Sequence, residues 1–180
     1  MFRPALTFLL FAITAMHAHA DQCFERTYTT AHLAANKDQT VEMIRARLPD
    51  ARSGQAHVSV IFRKTRAEIQ AEEAARAAAS EKGEEPPAPA KQKLYQTGLF
   101  CWAPAPGAPE GAWQCGVECD GGTFTAWTSG DGLLLRTRGG FLVSGECGEP
   151  GDEEEPRFVT DTNAIVTTYK LFPIDPAKCE

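Results

Sequence analysis

Apolar and polar residues alternate with a period of two along most of the chain. The segment TVEMIRARL (40–48) places charged side chains between apolar ones, and HVSVIFRKT (57–65) puts Val58, Val60 and Phe62 on one side. Such alternation is typical of a β-strand with one buried face. Six more segments have strand character: KLYQTGLFCW (93–102), GAWQCGVEC (111–119), TFTAW (123–127), LLLRT (133–137), GFLVSG (140–145) and AIVTTYKLF (164–172). The pattern therefore predicts about eight strands.

Turn-forming residues separate the predicted strands. They form a loop rich in Pro and Gly at 104–111 and shorter glycine-containing turns at 120–122, 129–132 and 139–140. Glycine and aspartate tolerate the positive φ angles that tight hairpin turns impose. We therefore expect an all-β fold, as an antiparallel up-and-down barrel or a closely related sandwich.

The segment RAEIQAEEAARAAASEKGEEPPAPAKQK (66–93) interrupts this pattern. It begins rich in Ala, Glu and Arg, with Glu72 and Arg76 at a favourable helical spacing, and then becomes rich in Pro, Glu and Lys. Because Ile69 is its only large apolar residue, a helix here has almost no face to bury. We predict a frayed helix and a flexible linker, inserted between two strands of one hairpin; a partner-binding arm is the functional alternative.

Two shorter segments also lack the strand pattern. In CFERTYTTAHLAANKDQTV (23–41), interpreted as a lead-in to the sheet, Thr29 or Thr30 is a candidate N-cap for a short turn through His32 and Leu33. The acidic run Asp152 to Glu155 lacks the alternating ligand spacing of a calcium loop, so we expect a solvated turn there.

The first 20 residues have the parts of a secretory signal peptide. A basic residue, Arg3, precedes the apolar run 5–16, and the small residues Ala18 and Ala20 end the segment. The apolar run is shorter than the ~20 residues that span a bilayer. We therefore expect residues 1–20 to be removed, leaving one soluble domain at 21–180 that is periplasmic or secreted, with no membrane span.

Charge excludes one class of partner. The chain has 18 basic and 24 acidic side chains, a net charge of −6. Nucleic-acid binding needs a basic face that releases counterions, and the sequence contains no basic cluster of that kind. We therefore expect no nucleic-acid partner.

All six cysteines lie in the predicted exported domain: Cys23, Cys101, Cys115, Cys119, Cys147 and Cys179. An even number in an oxidising compartment indicates disulfides. A zinc site needs a second close pair of ligands besides Cys115 and Cys119, and a thioredoxin-type centre needs Cys-x-x-Cys at a helix start; neither pattern occurs. We therefore predict no metal and no cofactor.

The predicted strands also suggest which cysteines pair. If the strands flanking the 104–111 loop pair around position 108, residue 101 faces residue 115 and residue 102 faces residue 114, within disulfide reach. We predict the bridges Cys101–Cys115, Cys119–Cys147 and Cys23–Cys179, one of fifteen connectivities that six cysteines allow.

Catalytic motifs give a weak signal. No Gly-x-Ser-x-Gly elbow occurs, and Ser144 in LVSGEC does not match it. His32 and His57 are the candidate bases of a hydrolase, which requires a nearby Ser and acid, but structural or surface positions are expected for both.

The aromatic residues allow two interpretations. Trp102, Trp113, Trp127, Phe100, Phe124, Phe141, Tyr95 and Tyr169 either line an apolar cavity or fill the core, and small barrels are usually filled. Within KLYQTGLFCW, alternation places Leu94, Phe100 and Trp102 on one face and Tyr95, Leu99 and Cys101 on the other. Gly111-Ala112-Trp113 resembles the Gly-x-Trp of lipocalins, which that family carries on its first strand.

Taken in order, the signal peptide, CFERTYTTAHLAANKDQTV, FCW, WQCGVECDGG and GGFLVSGECGE resemble a group of small exported bacterial proteins that are rich in cysteine. That resemblance implies an exported location and a disulfide-bonded β fold, and no functional residue. We expect a non-enzymatic binding or interaction module for a small apolar ligand or an exported protein. The alternatives are a barrel-type inhibitor of an exported protease and a hydrolase that uses His32 or His57.

Overall fold

Eight antiparallel strands follow one another around a closed barrel, and the first strand pairs with the last. The computed structural model describes residues 22–118, 120–143, 157–161 and 163–179. The strands are β1 (Gln22–Thr27), β2 (Val41–Leu48), β3 (Gly54–Phe62), β4 (Leu94–Trp102), β5 (Trp113–Gly116), β6 (Gly122–Ser129), β7 (Gly132–Phe141) and β8 (Val166–Pro173). The helices are α1 (Thr30–Ala35) and α2 (Arg66–Glu81), and a 3-10 turn (Pro176–Cys179) follows β8. The expected all-β up-and-down barrel is confirmed.

Several predictions lie outside the described residues. They are the signal peptide (1–20), Ser144, Cys119 and Cys147 with their bridge, and the acidic run Asp152 to Glu155.

Two strand predictions are wrong. The start of the 23–41 segment is a true strand, β1, which pairs with both β2 and β8. The described parts of 133–137 and 140–145 belong to one strand, β7, because Gly139 and Gly140 adopt positive φ inside the strand without ending it.

The barrel interior is filled by side chains. Alternate residues of each strand point inward, and the largest fully buried ones include Trp113, Tyr169, Phe124 and Phe141. Leu48, Leu99, Leu133, Leu135 and Leu171 pack among these rings in the same core. The aromatic residues inside the barrel therefore act as core, as small barrels normally require.

Different parts of the chain cover the two ends of the barrel. At one end the Trp113 indole Nε1 donates to the Pro49 carbonyl at 2.7 Å, and the Arg52 guanidinium lies over the Trp113 ring at 3.4 Å. At the other end the β7–β8 connection folds back, with Val143 and Val159 buried. The Val159 N–H donates to the Phe141 carbonyl at 2.8 Å, which anchors this connection to the end of β7.

The predicted insertion lies between paired strands, since β3 pairs with β4 from Gly54↔Cys101 to Ile61↔Leu94. Its helix is better ordered at the start than predicted, because Thr65 and Glu68 form a capping box. An ion pair of 3.4 Å between Arg157 and Glu68, and a second between Lys64 and Glu72, connect α2 to the barrel. Charge therefore positions a helix that has almost no apolar face.

Two ladders contain the fewest residue pairs in the barrel, and the next shortest, between β5 and β6, contains four. The closing ladder between β1 and β8 contains only Phe24↔Pro173 and Glu25↔Phe172. The ladder between β4 and β5 contains only three pairs, Phe100↔Gly116, Cys101↔Cys115 and Trp102↔Gln114. The barrel wall is therefore weakest at these two places, because few backbone hydrogen bonds join the strands there.

One disulfide lies within the β4–β5 ladder, and another joins β1 to the turn that follows β8. Cys101–Cys115 joins β4 to β5 with a Cα–Cα distance of 4.0 Å, and Cys23–Cys179 joins β1 to the turn after β8 with a distance of 6.1 Å. Both predicted bridges are confirmed, as is the predicted facing of 101 with 115 and of 102 with 114. The cross-links therefore hold together strands that share few backbone hydrogen bonds.

Removing either bridge should destabilise the barrel. The bridges close loops with sequence separations of 14 and 156 residues. The chain-entropy model gives upper bounds of about 3 kcal/mol for Cys101→Ala with Cys115→Ala, and about 5 kcal/mol for Cys23→Ala with Cys179→Ala. Urea unfolding of the two double variants against the wild type measures both values. Losses below about 1 kcal/mol in both would show that the short ladders hold without cross-links.

Candidate binding site on the outer wall

Two large aromatic side chains of β4 point away from the barrel. Phe100 is 48% exposed and Trp102 is 44% exposed, whereas Leu99 and Cys101 between and beside them are buried. They border an outer-wall pocket of about 410 Å³ across β4, β5 and β6. We call this surface the β4–β6 face and define it by its side chains: Phe100, Trp102, Val117, Glu118, Asp120 and Thr123.

Local structure holds the two rings in place. Phe100 and Trp102 flank Cys101, so the Cys101–Cys115 bridge fixes the backbone between them. Gly116 lies beneath the Trp102 ring, and a Cβ at this position would stand 2.7 Å from the Trp102 Cη2 atom. The glycine therefore lets the indole lie against the sheet, an arrangement in which an aromatic ring covers backbone that lacks a side chain.

The turn between β5 and β6 supplies negative charge to this face. Glu118 and Asp120 are exposed, and Asp120 adopts a φ of 61° in the tight turn. The Val117 N–H donates to the Gly122 carbonyl at 3.0 Å, which closes the turn. Within the part of the chain that the structure describes, neither carboxylate has an ion-pair partner. The site thus combines exposed aromatic surface with two uncompensated carboxylates.

The predicted aromatic set divides between the core and the outer wall. Tyr95, Trp113, Phe124, Phe141 and Tyr169 are buried, whereas Phe100, Trp102 and Trp127 face outward. The alternation in KLYQTGLFCW is confirmed, because Tyr95, Leu99 and Cys101 form the buried face of β4. The sequence analysis did not single out Gly116, Glu118 or Asp120, since their position becomes apparent only when β4, β5 and β6 lie side by side.

Among the described residues, neither candidate histidine is hydrogen-bonded to a serine or an acid. His32 stacks on the Tyr28 ring at 4.9 Å, and its Nε2 lies 3.0 Å from Gln39 Oε1. His57 is exposed on β3 in a shallow pocket with Ser59, whose hydroxyl accepts from Gln96 Nε2 at 3.2 Å. The described residues that line this pocket include no carboxylate. Thr29 caps α1 as predicted and thereby positions His32.

A small, partly buried cluster has displaced pKa values for a structural reason. Burial raises the pKa of Tyr28 to about 12 and also raises the pKa values of Asp161 and Tyr169. The Tyr169 hydroxyl donates to Asp161 Oδ1 at 3.3 Å, and the Asp161 N–H donates to the Thr167 hydroxyl at 3.2 Å. These contacts anchor the β7–β8 connection against β8, which accounts for the cluster without a catalytic role.

Comparisons of the chain with protein-family models, with curated proteins and with solved structures returned no match. Among the described residues, no helix has both the length and the apolar character needed to cross a membrane. The same residues contain no group of three or more His, Cys, Asp or Glu side chains arranged to hold a metal ion.

Adding one methyl group at Gly116 should displace the Trp102 ring. Gly116→Ala places its Cβ against the ring, so the indole must move, whereas Gly98→Ala on β4 meets nothing within 4 Å. We expect the Trp102 indole NMR signal to shift in the first variant and to stay in place in the control. Because the ring is the tip of a movable side chain, the cost in unfolding free energy should be only about 1 kcal/mol. An unchanged indole signal in Gly116→Ala would contradict the described packing.

Proposed function

We propose that the protein is an exported, non-enzymatic binding module that engages another exported protein through the β4–β6 face. The observation that carries this proposal is the exposure of Phe100 and Trp102 on a cross-linked wall of a barrel whose interior is already full. A predicted signal peptide and two disulfides support the exported location, because disulfides persist in oxidising compartments.

The packing favours a partner on the outside over a small ligand inside the barrel. Trp113, Tyr169, Phe124 and Phe141 occupy the space that a lipocalin-type ligand would need. Trp is enriched among the residues that contribute most to protein interfaces, and such residues lie near the centre of a contact patch. Exposed aromatic surface next to polar residues therefore supports a protein partner.

Rigidity is a second reason to favour binding at this face. The Cys101–Cys115 bridge fixes the backbone that carries both rings, and Gly116 provides the surface on which the Trp102 ring lies. Ordering side chains on binding costs free energy, so a preformed surface loses less of its interaction energy. Inhibition of an exported protease is the narrower form of this proposal and is one outcome of the following experiment.

The experiment compares three oxidised baits exposed to the exported-protein fraction of the protein's own cells. They are the wild type, Phe100→Ala with Trp102→Ala, and the control Ile165→Ala with Val166→Ala, which removes exposed apolar surface elsewhere. We expect one protein to be retained by the wild type and the control and to bind the aromatic variant at least about 30-fold more weakly, the loss typical of a central interface residue. Equal retention by all three baits would contradict the proposal. Matching circular dichroism spectra and thermal unfolding establish that the variants fold.

A further inference from the structure

Cationic side chains lie over three partly exposed aromatic rings of this barrel, Tyr28, Phe172 and Trp127, and over the buried rings of Tyr95 and Phe62. The pairs and their distances to the ring centroids are Arg26 with Tyr28 (5.2 Å) and Phe172 (5.1 Å), Lys170 with Phe172 (5.2 Å), Arg136 with Trp127 (5.3 Å), Lys93 with Tyr95 (5.1 Å), and Arg157 with Tyr95 (5.5 Å) and Phe62 (5.8 Å). A cation above an aromatic ring is attracted to its negative face. The outer wall therefore repeatedly combines a ring with a positive charge.

The rings of the β4–β6 face depart from this pattern. Phe100 and Trp102 are among the most exposed rings, and no described cation lies over either one. Phe158, at 45% exposure, also lacks a cation among the described residues, but it does not border the pocket of the β4–β6 face. Among the aromatic residues that the structure describes, Phe100 and Trp102 alone combine an uncovered ring with a shared pocket and nearby carboxylates.

Ion pairs neutralise some of the described carboxylates but neither of the two that border the exposed rings. Elsewhere, Glu25 pairs with Arg45, Glu68 with Arg157, Glu72 with Lys64, and Asp131 with Lys170. Glu118 and Asp120, which border the same pocket as the two rings, have no such partner among the described residues. Two kinds of group that bind cations therefore meet in one pocket, and its described lining residues include no cationic side chain.

We propose that the β4–β6 face recognises a basic side chain of the partner, arginine in preference to lysine; this inference rests on the proposed function. A guanidinium can stack on the Trp102 ring and donate hydrogen bonds to a carboxylate at its edge, whereas an ammonium is a compact point charge. An uncharged ligand would remove water from the carboxylates of Glu118 and Asp120 without supplying a positive charge in its place, which costs free energy. The chain's net charge of −6 also favours encounter with a basic partner.

The test follows the indole N–H signals of the three tryptophans in oxidised protein labelled with ¹⁵N-tryptophan. The probe is the blocked peptide acetyl-Gly-Arg-Gly-amide, and its citrulline analogue keeps the shape of arginine without the charge. Trp102→Phe identifies the Trp102 signal. The Trp113 signal is an internal control, because its indole is buried and donates to Pro49.

We expect the arginine peptide to move the Trp102 signal saturably, and the citrulline peptide to bind about tenfold more weakly. The lysine peptide should bind more weakly than the arginine peptide. Glu118→Gln with Asp120→Asn should weaken arginine binding about fivefold. The matched control, Glu73→Gln with Glu81→Gln on α2, removes the same charge from residues that do not border the pocket and should leave binding unchanged within about twofold.

Three results would overturn the inference. One is a citrulline peptide, or the neutral sugar maltotriose, that binds as tightly as the arginine peptide. Another is an arginine peptide that gives no saturable shift at about 10 mM, where a millimolar site is largely filled. The third is a Trp102 signal that moves with protein concentration alone, which would make a second copy of the chain the occupant.

The two proposals can fail separately. If the aromatic variant loses its captured partner but the arginine peptide does not bind, the binding function stands and recognition of a basic side chain falls. If the peptide binds but capture is unaffected by the aromatic variant, the pocket recognises basic groups and the proposed protein interface is wrong.

Discussion

Closure of the sheet is the constraint on which the rest of this structure depends. A closed barrel has no exposed edges only while every ladder is intact, and here the β1–β8 and β4–β5 ladders contain two and three residue pairs. The longer ladders, such as the eight pairs between β3 and β4, hold through backbone hydrogen bonds. One disulfide lies within the β4–β5 ladder, and the other joins β1 to the turn after β8. The two described disulfides thus lie next to the ladders with the fewest residue pairs.

The same cross-link connects the fold to the candidate site. Cys101 sits between Phe100 and Trp102, so the bond that secures the β4–β5 ladder also fixes the two exposed rings. Because the core already contains Trp113, Tyr169, Phe124 and Phe141, the interior has little room for the ligand of a hollow barrel. The Cys101–Cys115 bond therefore serves both the closure of the barrel and the proposed recognition surface on its outer wall.

Much of this fold was predictable because alternation survives wherever a strand buries one face. The symmetry of the two strands around position 108 was enough to place Cys101 opposite Cys115. β1 escaped prediction because Cys23 and Phe24 are adjacent and both buried, which destroys the period of two. β7 was divided because Gly139 and Gly140 have the positive φ of a turn but lie inside the strand.

The site was harder to predict than the fold. Alternation separated Phe100 and Trp102 from Tyr95 and Leu99, but both faces of β4 carry large apolar residues, so the pattern alone did not say which face was inside. The role of Gly116 depends on a neighbour fourteen residues earlier in the chain, Trp102, and the pocket forms only when three strands are adjacent. For α2, the spacing of Thr65 and Glu68 matches a capping box, which indicates an ordered helix start. The lack of an apolar face favoured a frayed helix instead.

Native-state hydrogen exchange before and after reduction tests the central claim most directly, because it reports opening ladder by ladder. If the bridges hold closed the two short ladders, reduction should accelerate exchange first in Phe100–Trp102, Trp113–Gly116 and the paired ends of β1 and β8. The β3–β4 and β6–β7 ladders should keep most of their protection. Uniform acceleration throughout the barrel, or earlier opening of the long ladders, would contradict this account.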